Sequence, residues 1–397
     1  MYTKKILVTT TTFPSFLEGD SIPPFIYELS KKLAKNDDFK IIISTPYIKN
    51  SKKFEERDNL KIYRYKYGFT SLRNGAILPN IKKNKLLIFQ LPFLLFFSFF
   101  SLVKLVKKEK INIIHAHWII PQTFLAVLYK KMFLKKDLKI ICTIHGSDIF
   151  ELRGWLMTKI KKWTLNNVNY ITVVSKEVMK EVKALKIKNM SIILAPMGVD
   201  DEIFNSENNK NIKEKYSINN PLILSVGRLV EKKGINFSIL AIKEVIKKYP
   251  NVKLLIIGDG PLKNNLELLS KKLSLEKNIF FLGGVAHEKL SEYYKSADIF
   301  ISSSLSEGFG LTFVESMLCK CPVIGPSLNS VSDIIKNEKV GIQVDTKNTK
   351  LFASKIIELL DNKEKGSLLA ENGYKFAKDN FTWDVSAKKY YELIFDL

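Results

Sequence analysis

Asp298-Ile299-Phe300-Ile301-Ser302-Ser303-Ser304-Leu305-Ser306-Glu307-Gly308-Phe309-Gly310-Leu311-Thr312-Phe313-Val314-Glu315 is the stretch that decides the fold. Asp298 to Ser302 is an apolar run that reads as a buried strand, and Leu311 to Lys320 reads as a short helix. A glycine-rich turn joins them. The free N–H groups and the dipole at such a helix start favour a phosphate, and glycine lets the backbone come close. Glu307 stands before the turn. Glu315, seven intervening residues later, leans back toward the helix start. Both carboxylates can border one ligand whose phosphates rest on the helix. Taken alone, the segment also fits an ordinary turn with a solvated glutamate on each side, so the rest of the chain has to decide.

Outward from this segment, strands and helices alternate in two runs. In the first half, strands are expected at 4–10, 39–45, 60–66, 111–115, 139–144, 169–174 and 191–195. Helices fit 22–36, 86–108, 121–134, 155–167 and 176–186. In the second half, Leu222–Val226, Val252–Ile257, Asn278–Leu282, Asp298–Ser302, Pro322–Ile324 and Gly341–Val344 read as strands. Ile239, Ile242, Val245 and Ile246 recur at helical spacing between them. Helices at 366–379 and 382–394 close the chain. Short, nearly continuous apolar strands between helices predict parallel sheets covered on both faces. The expected fold class is α/β, with two Rossmann-like domains facing a cleft. Ligands then bind beyond the carboxyl ends of the strands. Residues 1–200 form the first domain, 201–380 the second, and 381–397 a closing helix.

With 397 residues, 46% hydrophobic and 26% charged, the chain has the composition of a two-domain globular protein. Cys142, Cys319 and Cys321 are too few for a disulfide framework, which points to a reducing compartment. Met1 to Val8 reads as a first strand rather than a signal peptide. The net charge of +23 is uneven: residues 1–200 carry 35 Lys and Arg against 15 Asp and Glu. A phosphorylated substrate or a membrane surface fits that excess. Nucleic acid fits poorly, because the basic residues are spread over many helices rather than gathered in one arm or recognition helix.

Further motifs stand at strand ends. Gly227-Arg228 follows Leu222–Val226, with Lys232-Lys233-Gly234 close behind. An arginine and a lysine here suit a diphosphate, the first by planar bidentate contact and the second as a point charge. Gly258-Asp259-Gly260-Pro261 is a weaker signal that also fits a tight turn. Gly283-Gly284-Val285 offers exposed backbone to a base. In the first half, Glu18-Gly19-Asp20 precedes the first helix. His115-Ala116-His117-Trp118 and His145-Gly146-Ser147-Asp148 end two strands. Two-residue spacing puts His115 and His117 on one side of an extended chain. A zinc site would need further ligands nearby, and the sequence shows no such cluster.

This ordered set resembles the retaining glycosyltransferases of family 4, the group 1 type, which have the GT-B fold. The resemblance runs nearly end to end and is strongest at the Glu-x7-Glu motif Glu307–Glu315. It implies that the second domain holds a nucleotide sugar, that the first holds the acceptor, and that the last helix returns to the first domain. Carried over residue by residue, Arg228 and Lys233 neutralise the departing diphosphate and Glu315 holds the ribose hydroxyls. Gly308, Phe309, Gly310, Leu311 and Thr312 give backbone N–H groups to sugar and phosphate. Glu307 faces the transferred sugar, and the Val285 backbone touches the base. His145 holds a donor-sugar hydroxyl, supported by His117. Gly19 belongs to the donor side, and Asp20, His117, Trp118 and His145 to the acceptor side. The family often has glycine where Asp20 stands, which suggests a subgroup.

Such chemistry needs cations and N–H dipoles fixed on the leaving phosphates. Arg228, Lys233 and a helix start can supply them, and no Asp-x-Asp pair occurs, so neither metal nor other cofactor is expected. Leu86 to Val106 is about as long as a membrane span, yet a span there would sever the first sheet from its N-terminal strands. A buried or interface-lying helix is expected instead, with flanking lysines touching anionic lipid on the cytoplasmic side. Two other readings stay open at this point. One is a GT-B epimerase or phosphorylase, and the other is a non-catalytic basic membrane-binding protein. Binding of a nucleoside diphosphate separates the last from the enzymes.

Overall fold

The computed structural model describes residues 3–17, 22, 24–68, 84–204, 212–215 and 219–397. The chain divides into two compact units, Met1–Met197 with Trp383–Leu397, and Gly198–Thr382. The expected boundaries were 200 and 380.

The first unit is built on an eight-stranded sheet. Its strands are β1 (Lys4–Thr9), β2 (Phe39–Pro46), β3 (Phe54–Arg57), β4 (Leu60–Tyr65), β5 (Ile113–His117), β6 (Lys139–Ile144), β7 (Tyr170–Val173) and β8 (Ile192–Leu194), in the order β3-β4-β2-β1-β5-β6-β7-β8. Every pairing is parallel except β3 with β4. Helices α1 (Phe25–Leu33), α2 (Leu91–Lys108), α3 (Phe124–Met132), α4 (Trp155–Leu165) and α5 (Lys176–Ala184) connect the strands. The alternating period of sequence reading missed β3, because Phe54-Glu55-Glu56-Arg57 is a mostly solvated edge strand without an apolar face. It also ended β5 too early. The ladders to β1 and β6 run on to Thr9↔Ala116 and His117↔Thr143, so both histidines are strand residues rather than loop residues.

The second unit holds a six-stranded parallel sheet: β9 (Leu222–Val226), β10 (Lys253–Ile257), β11 (Ile279–Gly283), β12 (Ile299–Ile301), β13 (Val323–Pro326) and β14 (Ile342–Val344), in the order β11-β10-β9-β12-β13-β14. This is the doubly wound Rossmann order, with its reversal between β9 and β12. Helices α6 (Ile235–Val245), α7 (Lys263–Lys272), α8 (Leu290–Ser296), α9 (Leu311–Leu318), α10 (Thr349–Asp361) and α11 (Lys363–Phe381) cover it. Ile223, Leu254, Ile256 and Ile299 pack with Ile239, Ile242 and Phe352 in one buried cluster. Each such side chain contributes about 1.5–3 kcal/mol by leaving water. The helix expected at 366–379 is α11, three residues longer at its start and two at its end, and α10 comes directly before it. Asn348 caps α10 through Leu351 N, and Asn362 ends it and caps α11 through Lys365 N.

The closing helix α12 (Trp383–Phe395) belongs to the first unit. Ser386 Oγ donates to Pro196 O at 2.8 Å, Tyr391 OH to Lys32 O at 2.5 Å, and Lys4 Nζ to Ile394 O at 2.6 Å.

Candidate functional site

In the second unit the chemistry-bearing residues gather at the carboxyl ends of β9 and β12, where the strand order reverses. Gly234 has φ +56°, and a Cβ on it would stand 2.3 Å from Ser303 O. Ser303 Oγ donates to Gly234 O at 2.7 Å, and Leu305 N donates to Lys232 O at 2.7 Å. The loop after β9 is thereby stitched to the loop after β12. Lys233 Nζ reaches Glu307 Oε1 at 2.5 Å, and Ser304 Oγ donates to the same oxygen at 2.7 Å. Sequence reading gave Lys233 to the phosphates and Glu307 to the sugar. The structure joins them as an ion pair, with Glu307 only 9% exposed.

Arg228 lies beside them and is exposed. Its loop is held from below by Gly258-Asp259-Gly260. Leu229 N donates to Asp259 O at 2.9 Å, and a Cβ on Gly258 would stand 2.0 Å from Gly227 O. A Cβ on Gly260 would likewise stand 2.3 Å from Leu229 O, so both glycines serve close backbone packing against the loop that carries Arg228. Asp259 Oδ2 accepts from Gly284 N at 2.7 Å, which fixes the turn leading to the half-exposed Val285.

Gly310, at φ +106°, opens α9. Phe309 is buried against Phe381, their rings 5.5 Å apart, while Gly308, Leu311 and Thr312 are partly exposed at the helix start. Glu315 is buried one turn into α9. Tyr294 OH donates to its Oε2 at 2.9 Å, and His287 Nε2 lies 3.1 Å from its Oε1. Both carboxylate oxygens are therefore engaged. Ser304, His287 and Tyr294 escaped sequence reading because single polar residues inside helix and loop patterns carry no spacing signal.

In the first unit β5 and β6 bring three imidazoles together. His117 Nδ1 lies 2.9 Å from His145 Nε2, and His115 Nε2 lies 2.7 Å from Thr143 Oγ1. The hydroxyls of Thr143, Thr172 and Tyr390 continue the network. Buried His117 Nε2 and His115 Nδ1 meet no protein partner. An unmet lone pair is commoner in buried sites than an unmet N–H, so His117 carries its proton on Nδ1 and donates to His145 Nε2. The proton that His145 presents to a ligand is then on Nδ1. These tautomers follow from the hydrogen-bond network.

Trp118 follows at φ +73°, a conformation costly for a non-glycine residue. Its ring lies 4.9 Å from that of His145, and Phe25 lies 5.2 Å from His145 on another side. Asp148 fastens the two loops: Oδ2 accepts from Ile119 N at 2.9 Å and Oδ1 from Gly146 N at 3.1 Å. Gly19 and Asp20 lie outside the described residues.

Burial holds the three imidazoles below their ordinary pKa, His115 down to about 3, and neighbouring rings press further on His117 and His145. His145, which keeps an exposed edge, is likewise held down to about 3. The unfolded chain takes up protons near pH 6.5 that the folded chain refuses. Folding is favoured above that value and weakens as pH falls toward 3, by up to about 1.4 kcal/mol per pH unit for each fully shifted ring. Burial raises Asp148 to about 6, which works the other way as pH falls through 6, but one carboxyl opposes three rings. The melting temperature should fall between pH 7 and pH 5, and less steeply in His115→Gln. A flat profile in the wild-type protein would contradict neutral burial of the cluster.

Residues 207–376 match the family described as Glycosyl transferases group 1, and residues 24–203 match Glycosyltransferase Family 4. N-acetyl-alpha-D-glucosaminyl L-malate synthase of Bacillus anthracis is 23% identical over 333 residues, 82% of this chain and 86% of that protein. The GDP-mannose-dependent alpha-(1-6)-phosphatidylinositol monomannoside mannosyltransferase of Mycolicibacterium smegmatis is 23% identical over 270 residues, covering 64% of this chain and 70% of that one. Among solved structures, Anabaena Alr3699/HepE in complex with UDP-glucose superposes with a TM-score of 0.77 at 14% identity, over 99% of this chain and 100% of that one. Two family matches that between them span both Rossmann-like units place the chain: it belongs to the group 1, family 4 glycosyltransferases of the GT-B fold.

Proposed function

We propose that the protein is a retaining, metal-independent hexosyltransferase that moves a sugar from a nucleotide sugar to a saccharide or lipid-linked acceptor. Its role is in the assembly of cell-surface polysaccharide, lipopolysaccharide or glycolipid, on the inner face of the cytoplasmic membrane. The observation that carries the donor half is the Lys233–Glu307 pair beside Arg228 and the start of α9, all at the switch point of the second sheet. A nucleoside diphosphate leaves as an anion while the sugar becomes oxocarbenium-like. Arg228, Lys233 and the N–H groups of Gly308 to Thr312 offset the first charge, and Glu307 faces the second. Glu315 takes the ribose hydroxyls and the Val285 backbone edges the base. His145 holds a sugar hydroxyl through Nδ1–H, oriented by His117. The acceptor attacks from the face the phosphate leaves, and a phosphate oxygen takes its proton. GDP-mannose in the name of the mycobacterial relative and UDP-glucose bound to the Anabaena protein support a nucleotide-sugar donor. The phosphatidylinositol acceptor in the former name supports a lipid-borne one. Three free, buried cysteines support a reducing compartment.

Thermal shifts with UDP, GDP and ADP test the donor reading and name the base, and product analysis with a panel of sugar donors then identifies the sugar. Stabilisation by none of the three would defeat the proposal. Activity should survive EDTA. Full loss on chelation, restored by Mg²⁺ or Mn²⁺, would overturn metal independence.

A further inference from the structure

Helix α2 and the turn before it present an unusual outer face. Phe89 is 72% exposed, Phe93 and Phe96 55% each, and Phe100 56%. Their spacing of three and four residues sets them on one side of the helix. The opposite side is committed to the fold. Leu94, Leu102 and Leu105 are buried, and Ser101 Oγ lies 3.0 Å from Ser44 Oγ of β2. The segment Leu86–Lys108 is long and apolar enough to cross a membrane by composition. Crossing would strip this inner side from the sheet, so the helix remains a cover of the first unit with a wide apolar surface outward.

The same outer strip turns basic at its C-terminal end, where Lys104, Lys107 and Lys108 are exposed. Lys107 Nζ stands 5.5 Å from the Phe133 ring, so the end of α3 adjoins it. There Leu134 is 80% exposed, between Lys131 and Lys135. Exposed aromatic surface rimmed by lysine is what an interfacial helix offers a bilayer. Self-pairing of this face would set lysine against lysine, because the adjoining carboxylate, Glu109, already meets Lys108 and Lys61 at 3.9 Å and Tyr63 OH at 2.8 Å, whereas a phospholipid gives each lysine a phosphate.

We propose that this face docks on an anionic lipid bilayer. The four phenylalanines enter the boundary between headgroups and acyl chains, and Lys104, Lys107 and Lys108 meet headgroup phosphates. The proposal deepens the membrane localisation given above and stands apart from the donor chemistry.

The test is co-sedimentation with vesicles of phosphatidylcholine alone and of phosphatidylcholine mixed with phosphatidylglycerol, at low and high salt. The wild-type protein should bind the mixed vesicles more tightly. Salt should weaken binding while leaving a residue carried by the aromatic face. Replacing Lys104, Lys107 and Lys108 together with glutamine should lower low-salt affinity roughly 100-fold, about fivefold per lysine. The triple variant Phe93→Ser, Phe96→Ser, Phe100→Ser should lose the salt-resistant part while keeping its melting temperature, since these rings face outward. Three results would overturn the proposal: no binding to either vesicle, equal binding to both, or undiminished binding of the phenylalanine variant. A wild-type dimer in vesicle-free solution that the phenylalanine variant converts to monomer would also overturn it, by giving the face to a second copy. Failure here leaves the nucleotide thermal shift untouched, so the two readings fail separately.

Discussion

Lys233→Ala should lower turnover about 10²–10³-fold, and Arg228→Ala by a similar factor, because each removes a fixed charge from the departing diphosphate. The two variants should differ in stability. Arg228 is exposed, so its loss should leave the melting temperature unchanged. Lys233 pairs with a nearly buried Glu307, and its loss leaves that carboxylate with Ser304 as its side-chain partner among the described residues, a cost on the order of 1–3 kcal/mol. Steady-state kinetics beside a thermal melt checks both. Near-normal turnover in either folded variant would remove that residue from the phosphate cradle. Glu307→Gln completes the comparison. The amide keeps the shape and the hydroxyl contact but releases the Lys233 charge. Nucleoside diphosphate affinity should then hold or tighten while turnover falls. Weaker binding would mean that Glu307 acts on the nucleotide itself.

Glu315→Ala should weaken binding of the free nucleoside diphosphate by about 1.5–3 kcal/mol, the worth of a charge-assisted hydrogen bond. Titration calorimetry reads it directly. The structure adds a stability cost. Tyr294 is wholly buried and donates to Glu315, so the alanine leaves a hydroxyl with no acceptor. Burial, and the Glu315 charge after it, also hold the Tyr294 hydroxyl in its protonated form. Tyr294→Phe separates the two effects, since it removes the support and keeps the carboxylate. Its affinity loss should be clearly smaller. Equal loss in both variants would make Glu315 a structural residue, and no loss in Glu315→Ala would take it out of the nucleotide site.

The donor half of the site was legible because its parts are local. A strand, a glycine turn and a helix fall within eighteen consecutive residues, Asp298 to Glu315, and Gly227-Arg228 ends a strand of plain apolar pattern. The basic loop at Lys232-Lys233-Gly234 was readable for the same reason. What it faces was not. The Lys233–Glu307 pair spans 74 positions, and only the adjacency of β9 and β12 closes that distance. The histidine cluster shows the same division. Spacing put His115 and His117 on one side of a strand, but their partner His145 arrives through the pairing of β5 with β6.

The sequence by itself determined the two parallel α/β units, their strand and helix alternation, and which strand ends carry charge and glycine. Apolar period and turn chemistry are short-range properties, and one strand or helix suffices to express them. Tertiary structure alone decided the edge strand β3 and the neutral state of the imidazoles. It also decided which side of α2 is buried. Periodicity marks that helix as apolar nearly all round, and hydropathy does not distinguish a ring pressed on a sheet from one turned to the outside. Only the packing of Leu94, Leu102 and Leu105 against the first sheet leaves the phenylalanines outward, because one helix can give a single side to one sheet.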